Sequence, residues 1–289
     1  MLRSPSGFIG LLLMTRLSMR CALLLKITLI VLPLASPLVA SAAAGKCERL
    51  IATGGADNPP FLWRDPQNPK RLMGANAELL QKITDSLDLK LEVLYAGDTD
   101  KAFDEVRSGR MDLLIDASLS TKSLQHMDIV HPAITSRQLV AWVRTEPGFL
   151  YTSRVDLHGR TGVHGEATKS FADFESYAKQ NLRLRSAPGL AEAVQQLQDG
   201  KVDYVLHERY SAVARLGALG VLDTLQRLEP PVAEQGMHFA VSHDSACNSP
   251  WLRGQLAVKM TELRAAGVEE QLLAENLELW KQQLSESKP

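Results

Sequence analysis

Ala102-Phe-Asp-Glu-Val-Arg-Ser-Gly-Arg-Met-Asp-Leu-Leu-Ile-Asp116 and Ala193-Val-Gln-Gln-Leu-Gln-Asp-Gly-Lys-Val-Asp-Tyr-Val-Leu-His207 follow one pattern. Each reads as a helix, a glycine, a basic residue, an apolar residue, an aspartate, three apolar residues and a polar one. Glycine suits the left-handed turn that ends a helix. Three apolar residues in a row suit a strand buried on both faces. One such unit is common in α/β proteins. Two of them, with Ala193 standing 91 positions after Ala102, predict two lobes of similar build.

The flanking sequence extends the pattern. Arg49–Ala52 predicts a strand that Thr53-Gly54-Gly55 ends, and Ala77, Leu80, Ile83 and Leu87 recur at helical spacing over 76–87. Leu89–Tyr95 predicts a further strand. Around the second unit, Gly162-Val163 predicts a short strand and Phe171–Gln180 a helix. Strands alternating with helices favour a mostly parallel sheet with helices on its faces. Gln138–Arg144 and Met237–Ser242 are β-rich runs without glycine or proline, and they read as two strands crossing between the lobes. Helices over about 250–266 and 268–280 then rejoin lobe one.

Residues 1–42 carry Arg3, Arg16, Arg20 and Lys26 but no acidic residue. The apolar run Ala22–Ala40 ends at Ala40-Ser41-Ala42. A basic region, an apolar run and an A-x-A end predict a cleaved secretory signal peptide and a periplasmic protein. The alternative is a membrane anchor, but Lys26 and Pro33 interrupt the run. Met19 would begin a more compact signal than Met1. Cleavage removes four of the 32 basic residues and none of the 33 acidic ones, leaving a net charge of −5. An acidic chain without a basic run argues against nucleic acid as partner. No cofactor is expected, and no cysteine–histidine spacing marks a metal site. Cys47 and Cys247 remain after cleavage. One precedes the first strand of lobe one and the other follows the strand that returns to it, so a disulfide between them is expected in an oxidising compartment.

Several stretches together resemble extracellular solute-binding proteins of family 3, the polar amino-acid-binding type. They are Asn58-Pro-Pro-Phe61-Leu-Trp63, Gly74, Gly109-Arg-Met-Asp112, Ser118-Leu-Ser120-Thr121, Asp128-Ile-Val-His-Pro132, Asp156-Leu-His-Gly159 and Thr161-Gly-Val163. The resemblance covers about 46–284. It implies a two-lobed type II periplasmic-binding-protein-like α/β fold: two mixed sheets with flanking helices, joined by two crossing strands. Lobe one would comprise 46–140 and 238–284, and lobe two 144–236. It further implies a monomer that closes on a small-molecule ligand and delivers it to an ABC-type membrane transporter.

In open parallel sheets, ligands bind beyond the carboxyl ends of the strands. That rule and the resemblance together nominate Asn58, Phe61, Trp63, Asp116, Ser118, Ser120, His164, Glu166, Thr168 and Glu208. Phe61 and Trp63 would wall the pocket, or else pack beneath it. His164 is either a contact or a hydrogen-bonded structural residue. Glu166 is either a contact or a charge complementing its helix dipole. The family's amine-binding aspartate corresponds to Glu208. Its carboxylate-gripping arginine corresponds to Ser123, and the nearest arginine downstream, Arg137, lies outside the motif. A cleft of carboxylates without a matched guanidinium predicts a cationic or neutral polar solute. Two other classes remain open: a sensing or accessory binding protein without its own transporter, and a dehydratase-type enzyme using Glu208 or Glu166 with His164.

Overall fold

The computed structural model describes residues 47–147, 149–165 and 171–286, so the expected signal peptide lies outside the described residues. The chain opens with β1 (Arg49–Thr53). Three short strands follow, β2 (Asp57–Asn58), β3 (Leu62–Arg64) and β4 (Leu72–Met73), which pair as a small antiparallel sheet of their own. Then come α1 (Ala75–Ser86), β5 (Lys90–Val93), α2 (Thr99–Arg107), β6 (Leu113–Ser118), α3 (Thr121–Leu124), β7 (Met127–Ile129) and β8 (Thr135–Arg144).

The second half follows with β9 (Thr161–His164), α4 (Ala172–Asn181), β10 (Arg183–Ser186), α5 (Leu190–Gln198), β11 (Tyr204–Glu208), α6 (Arg209–Leu219) and β12 (Leu225–Arg227). The return strand β13 (Ala233–Ser242) and the helices α7 (Pro250–Ala265) and α8 (Val268–Glu286) close the fold.

The main sheet runs β10-β9-β11-β8-β13-β6-β1-β5. This order is symmetric about its centre. On one side, β5, β1 and β6 are parallel and β13 runs antiparallel to β6. On the other, β10, β9 and β11 are parallel and β8 runs antiparallel to β11. The crossing strands also pair with each other, from Ala233↔Leu139 to Met237↔Thr135. The expected two sheets therefore share one hydrogen-bonded path through β8 and β13. Even the short strands correspond, since β7 pairs with β13 and β12 with β8.

The repeated motif performs the same task twice. Gly109 and Gly200 both adopt left-handed backbone, at φ 70° and 71°. Three residues on, Asp112 Oδ2 accepts the Ile51 amide of β1 at 2.8 Å, and Asp203 Oδ2 accepts the Thr161 amide of β9 at 2.7 Å. The backbone reciprocates, with the Asp112 amide donating to Ile51 O and the Asp203 amide to Thr161 O. Each aspartate thus registers its strand against the first strand of its half. A side chain that ties two backbones without needing a partner side chain explains why aspartate recurs at this point of both units.

Each half has its own apolar interior. Leu50, Leu80, Ile115, Phe239 and Leu256 belong to one cluster. In the second half, β8 serves two clusters by alternation: Val140 and Trp142 pack with Val163, Leu197 and Val205, while Leu139, Ala141 and Val143 pack with Phe174, Tyr204 and Leu206. Cys47 and Cys247 form a disulfide across a sequence separation of 200. No described helix is long and apolar enough to cross a membrane.

Asp203→Ala should lower the unfolding free energy by roughly 1.5–3 kcal/mol, the loss of a hydrogen bond to a charged acceptor. Asp112→Ala should be the more damaging, because Asp112 Oδ1 also accepts the Ser245 hydroxyl at 2.6 Å. Urea denaturation of the two variants checks both the magnitude and the order.

Candidate ligand-binding cleft

A cavity of about 740 Å³ opens beyond the carboxyl ends of β1, β6 and β11, between the two halves. It is within the size range of small-molecule sites. Gly55, Asp57 and Asn58 follow β1 into it, and the first turns of α2 bring Thr99, Asp100 and Phe103. The end of β6 brings Asp116 and Ser118, with Ser120 and Lys122 just beyond. The second half contributes Pro188–Leu190 before and at the start of α5, and His207, Glu208, Ser211 and Arg215.

Local geometry explains how acids come to stand here. Asp116 Oδ2 accepts the Gly55 amide at 2.9 Å, against the end of the neighbouring strand. That approach needs Gly54: a Cβ there would meet Asp116 Oδ1 at 2.7 Å and Leu62 at 2.6 Å. Glu208 is 3% exposed and caps α6, its Oε2 accepting the Ser211 amide at 2.8 Å. Two residues later the edge of Tyr210 meets Phe61 with ring centres 5.7 Å apart, so α6 begins in the cleft and is anchored at once against the interior of the first half.

Burial sets the electrostatics. It pushes Glu208 up to about 7, against the pull of the Ser211 and Tyr210 amides, Arg137 and Arg209. It also raises Asp116, opposed by the Gly55 amide and Arg137. His207 is pushed down to about 4 by burial, with Arg215 adding to the effect against a hydrogen bond to the Glu208 carbonyl, and is therefore neutral near pH 7.

Of the nominated residues, Asn58, Asp116, Ser118, Ser120 and Glu208 line the cleft. Glu166 and Thr168 lie outside the described residues. His164 ends β9 next to the cleft-lining Gly165, with its Nδ1 3.1 Å from that residue's carbonyl oxygen, and is not itself among the lining residues. Phe61 and Trp63 are corrections: neither walls the cleft. Phe61 is fully buried, and Trp63 is 2% exposed, edge-on to Trp280 and donating to Gln283 Oε1 at 2.9 Å. The reason is the β2–β4 sheet, which turns the chain away after Asn58 and buries Phe61, Leu62 and Trp63 alike.

The motif position holds Ser123 and so no matched guanidinium, yet the cleft is not without arginine. Arg137 and Arg215 both line it. Arg137 lies on β8, which begins at Thr135 rather than at Gln138. It shares a face with Leu139, Ala141 and Val143, a period-2 signal that a strand drawn three residues longer would have shown. Arg137 Nε, Arg215 Nε and Glu208 Oε1 are buried polar atoms without a hydrogen-bond partner among the described residues. Among the described residues, no cluster of His, Cys, Asp or Glu is suited to hold a metal ion.

Two symmetric halves around a polar cleft define a solute-binding protein of the type II periplasmic class. The chain belongs to the bacterial extracellular solute-binding proteins, family 3, whose model matches residues 50–274. A search of curated protein sequences finds no match. Among solved structures, the chain is similar to substrate-binding domain 2 of Lactococcus lactis GlnP in its open conformation: TM-score 0.61, 21% identity, covering 80% of this chain and 96% of that one. It is similar to AbpA of Streptococcus pneumoniae Canada MDR_19A, an amino acid ABC transporter substrate-binding protein bound to L-arginine: TM-score 0.57, 20% identity, covering 81% and 96%. It is also similar to a histidine kinase sensor domain, with TM-score 0.58 and 22% identity over 80% and 96%.

Glu208 has a pH signature. Its folded pKa of about 7 exceeds the ordinary value of 4.5, so the folded state holds a proton that the unfolded chain has already released between those values. The resulting stability is present below the unfolded pKa and is lost as pH rises through about 7. Glu208→Gln keeps an acceptor for the Ser211 amide and removes the buried charge. The variant should match the parent near pH 4 and exceed it by up to roughly 3 kcal/mol above pH 8. Denaturation curves across that pH range measure the difference.

Proposed function

We propose that this protein captures a small, polar, amino-acid-type solute in the cleft and hands it to an ABC-type membrane transporter. The observation that carries this reading is the convergence of charged side chains on one cavity: Asp116 from the first half, Glu208 and Arg215 from the second, and Arg137 from the strand that joins them. Around it, Asp57, Asp100, Asp116 and Glu208 stand against Lys122, Arg137 and Arg215. A nearly balanced wall, with Glu208 close to half ionised at neutral pH, favours a solute of neutral or singly positive net charge over a dicarboxylate.

Membership in an extracellular family supports export and a periplasmic location. Lobe one as 46–140 with 238–284, and lobe two as 144–236, are then the bodies that would close on the ligand about β8 and β13. The likeness to a histidine kinase sensor domain supports a second reading, in which the bound state is sensed rather than transported.

Calorimetry with the twenty L-amino acids, putrescine and succinate tests the proposal. At least one neutral or basic amino acid should bind at micromolar or tighter Kd, and succinate should bind at least tenfold more weakly. Binding of succinate alone would overturn the charge reading, and binding of no amino acid would overturn the class. Ligand-dependent stimulation of ATP hydrolysis by a reconstituted transporter separates transport from sensing.

A further inference from the structure

We infer that Arg137, on the crossing strand, is the residue that grips the ligand's carboxylate, so that this chain anchors its ligand at the junction of the halves rather than on the short helix after β6. The inference rests on the amino-acid-type reading above and deepens it.

The helix position is closed to this role. Ser123 on α3 is 4% exposed, and its hydroxyl is held within its own turn. Its Oγ lies 2.7 Å from Ser118 O and 2.9 Å from Ser120 O, and it accepts the Ser120 amide at 3.0 Å. A ligand carboxylate therefore finds no donor in that side chain. Lys122 beside it is exposed and lies over the Phe103 ring, its Nζ 4.4 Å from the centroid.

Arg137 is placed differently. It comes from the strand shared by both halves and lies in the electrostatic reach of Asp116 from one and Glu208 from the other. Its guanidinium also lies over the Phe171 ring, 5.5 Å from the centroid. Nη2 makes only long bonds, 3.3 Å to Ser118 Oγ and 3.4 Å to Gln235 Oε1, and Nε has no partner among the described residues. A guanidinium presents its N–H groups as a planar fork matched to a carboxylate. The carboxyl group of Glu208, which also lines the cleft, supplies the complementary acceptor for an ammonium group. A zwitterion satisfies both. An amine without a carboxylate would leave the arginine unpaired in a cleft emptied of water, which is costly. Arg215 is the rival, because it also lines the cleft, but it stands on α6 within the second half alone.

The test compares the tightest-binding L-amino acid of the calorimetric panel with the amine that remains when its carboxylate is removed. Wild-type protein should prefer the amino acid by at least about 100-fold, the scale of breaking a desolvated charge pair. Arg137→Gln should lose most of that preference by weakening the amino acid and not the amine. Arg137→Lys, which keeps the charge and the fold but not the fork, should weaken the amino acid by at least about tenfold. Thermal melts establish that each variant is folded. Wild-type affinity in both Arg137 variants would overturn the inference. So would a wild-type protein that binds the amine as well as the amino acid, or loss of the preference in Arg215→Gln with its retention in Arg137→Gln. Each of these leaves the binding reading standing, whereas a wild-type protein that binds no amino acid removes that reading first.

Discussion

Five backbone pairs between β8 and β13, from Ala233↔Leu139 to Met237↔Thr135, are the constraint on which the architecture depends. Each strand then continues into one half: β13 pairs with β6 in the first, and β8 with β11 in the second. The two parallel blocks are thus arranged symmetrically, with the carboxyl ends of β1, β6 and β11 opening on one cavity. The side chain at the middle of this junction is Arg137, opposite Gln235. Its position follows from strand pairing, which is stiffer than a loop and common to both halves.

The cleft concentrates a cost that the rest of the molecule avoids. Most ion pairs of the structure are exposed, such as Arg49–Glu92 and Arg110–Glu105. Pairs of that kind contribute little to stability. In the cleft, by contrast, burial raises Asp116 and Glu208 against the charge of Arg137, and lowers Arg137 against the charges of both carboxylates. All three residues line the cavity. A site in this condition has more to gain from a ligand of matched charge than a surface pair has, because the desolvation has already been met by folding.

Much of the fold was legible because the decisive signals are local and repeated. Gly109 with Asp112, and Gly200 with Asp203, mark the same turn and the same strand-registering carboxylate at an interval of 91 residues. Asp116 and Glu208 were readable as strand-end residues by the same logic. What escaped had weaker local signals. Strands of two or three residues, as in β2–β4, are too short to display a period, so the burial of Phe61 and Trp63 away from the cleft could not be read. β10, Arg-Leu-Arg-Ser, is a largely exposed edge strand without an apolar run. Arg137 was set aside because it lies outside the family motif and ahead of the strand drawn from Gln138, whereas it lies within β8. Its role depends on long-range pairing with Gln235.

The disulfide gives this layout a topological meaning. Cys47 lies just before β1 and Cys247 just after β13, so the bond joins the two ends of a covalent ring that leaves the first half, runs through the whole of the second and comes back. A chain that leaves a domain and must return to it is ordinarily vulnerable at the return strand, which can drift away whenever the inserted part opens. Here that strand is tethered at its far end. Local opening of the second half would not release the strand that completes its host. The bond thus acts less as a clamp on the cleft than as insurance on the order of assembly.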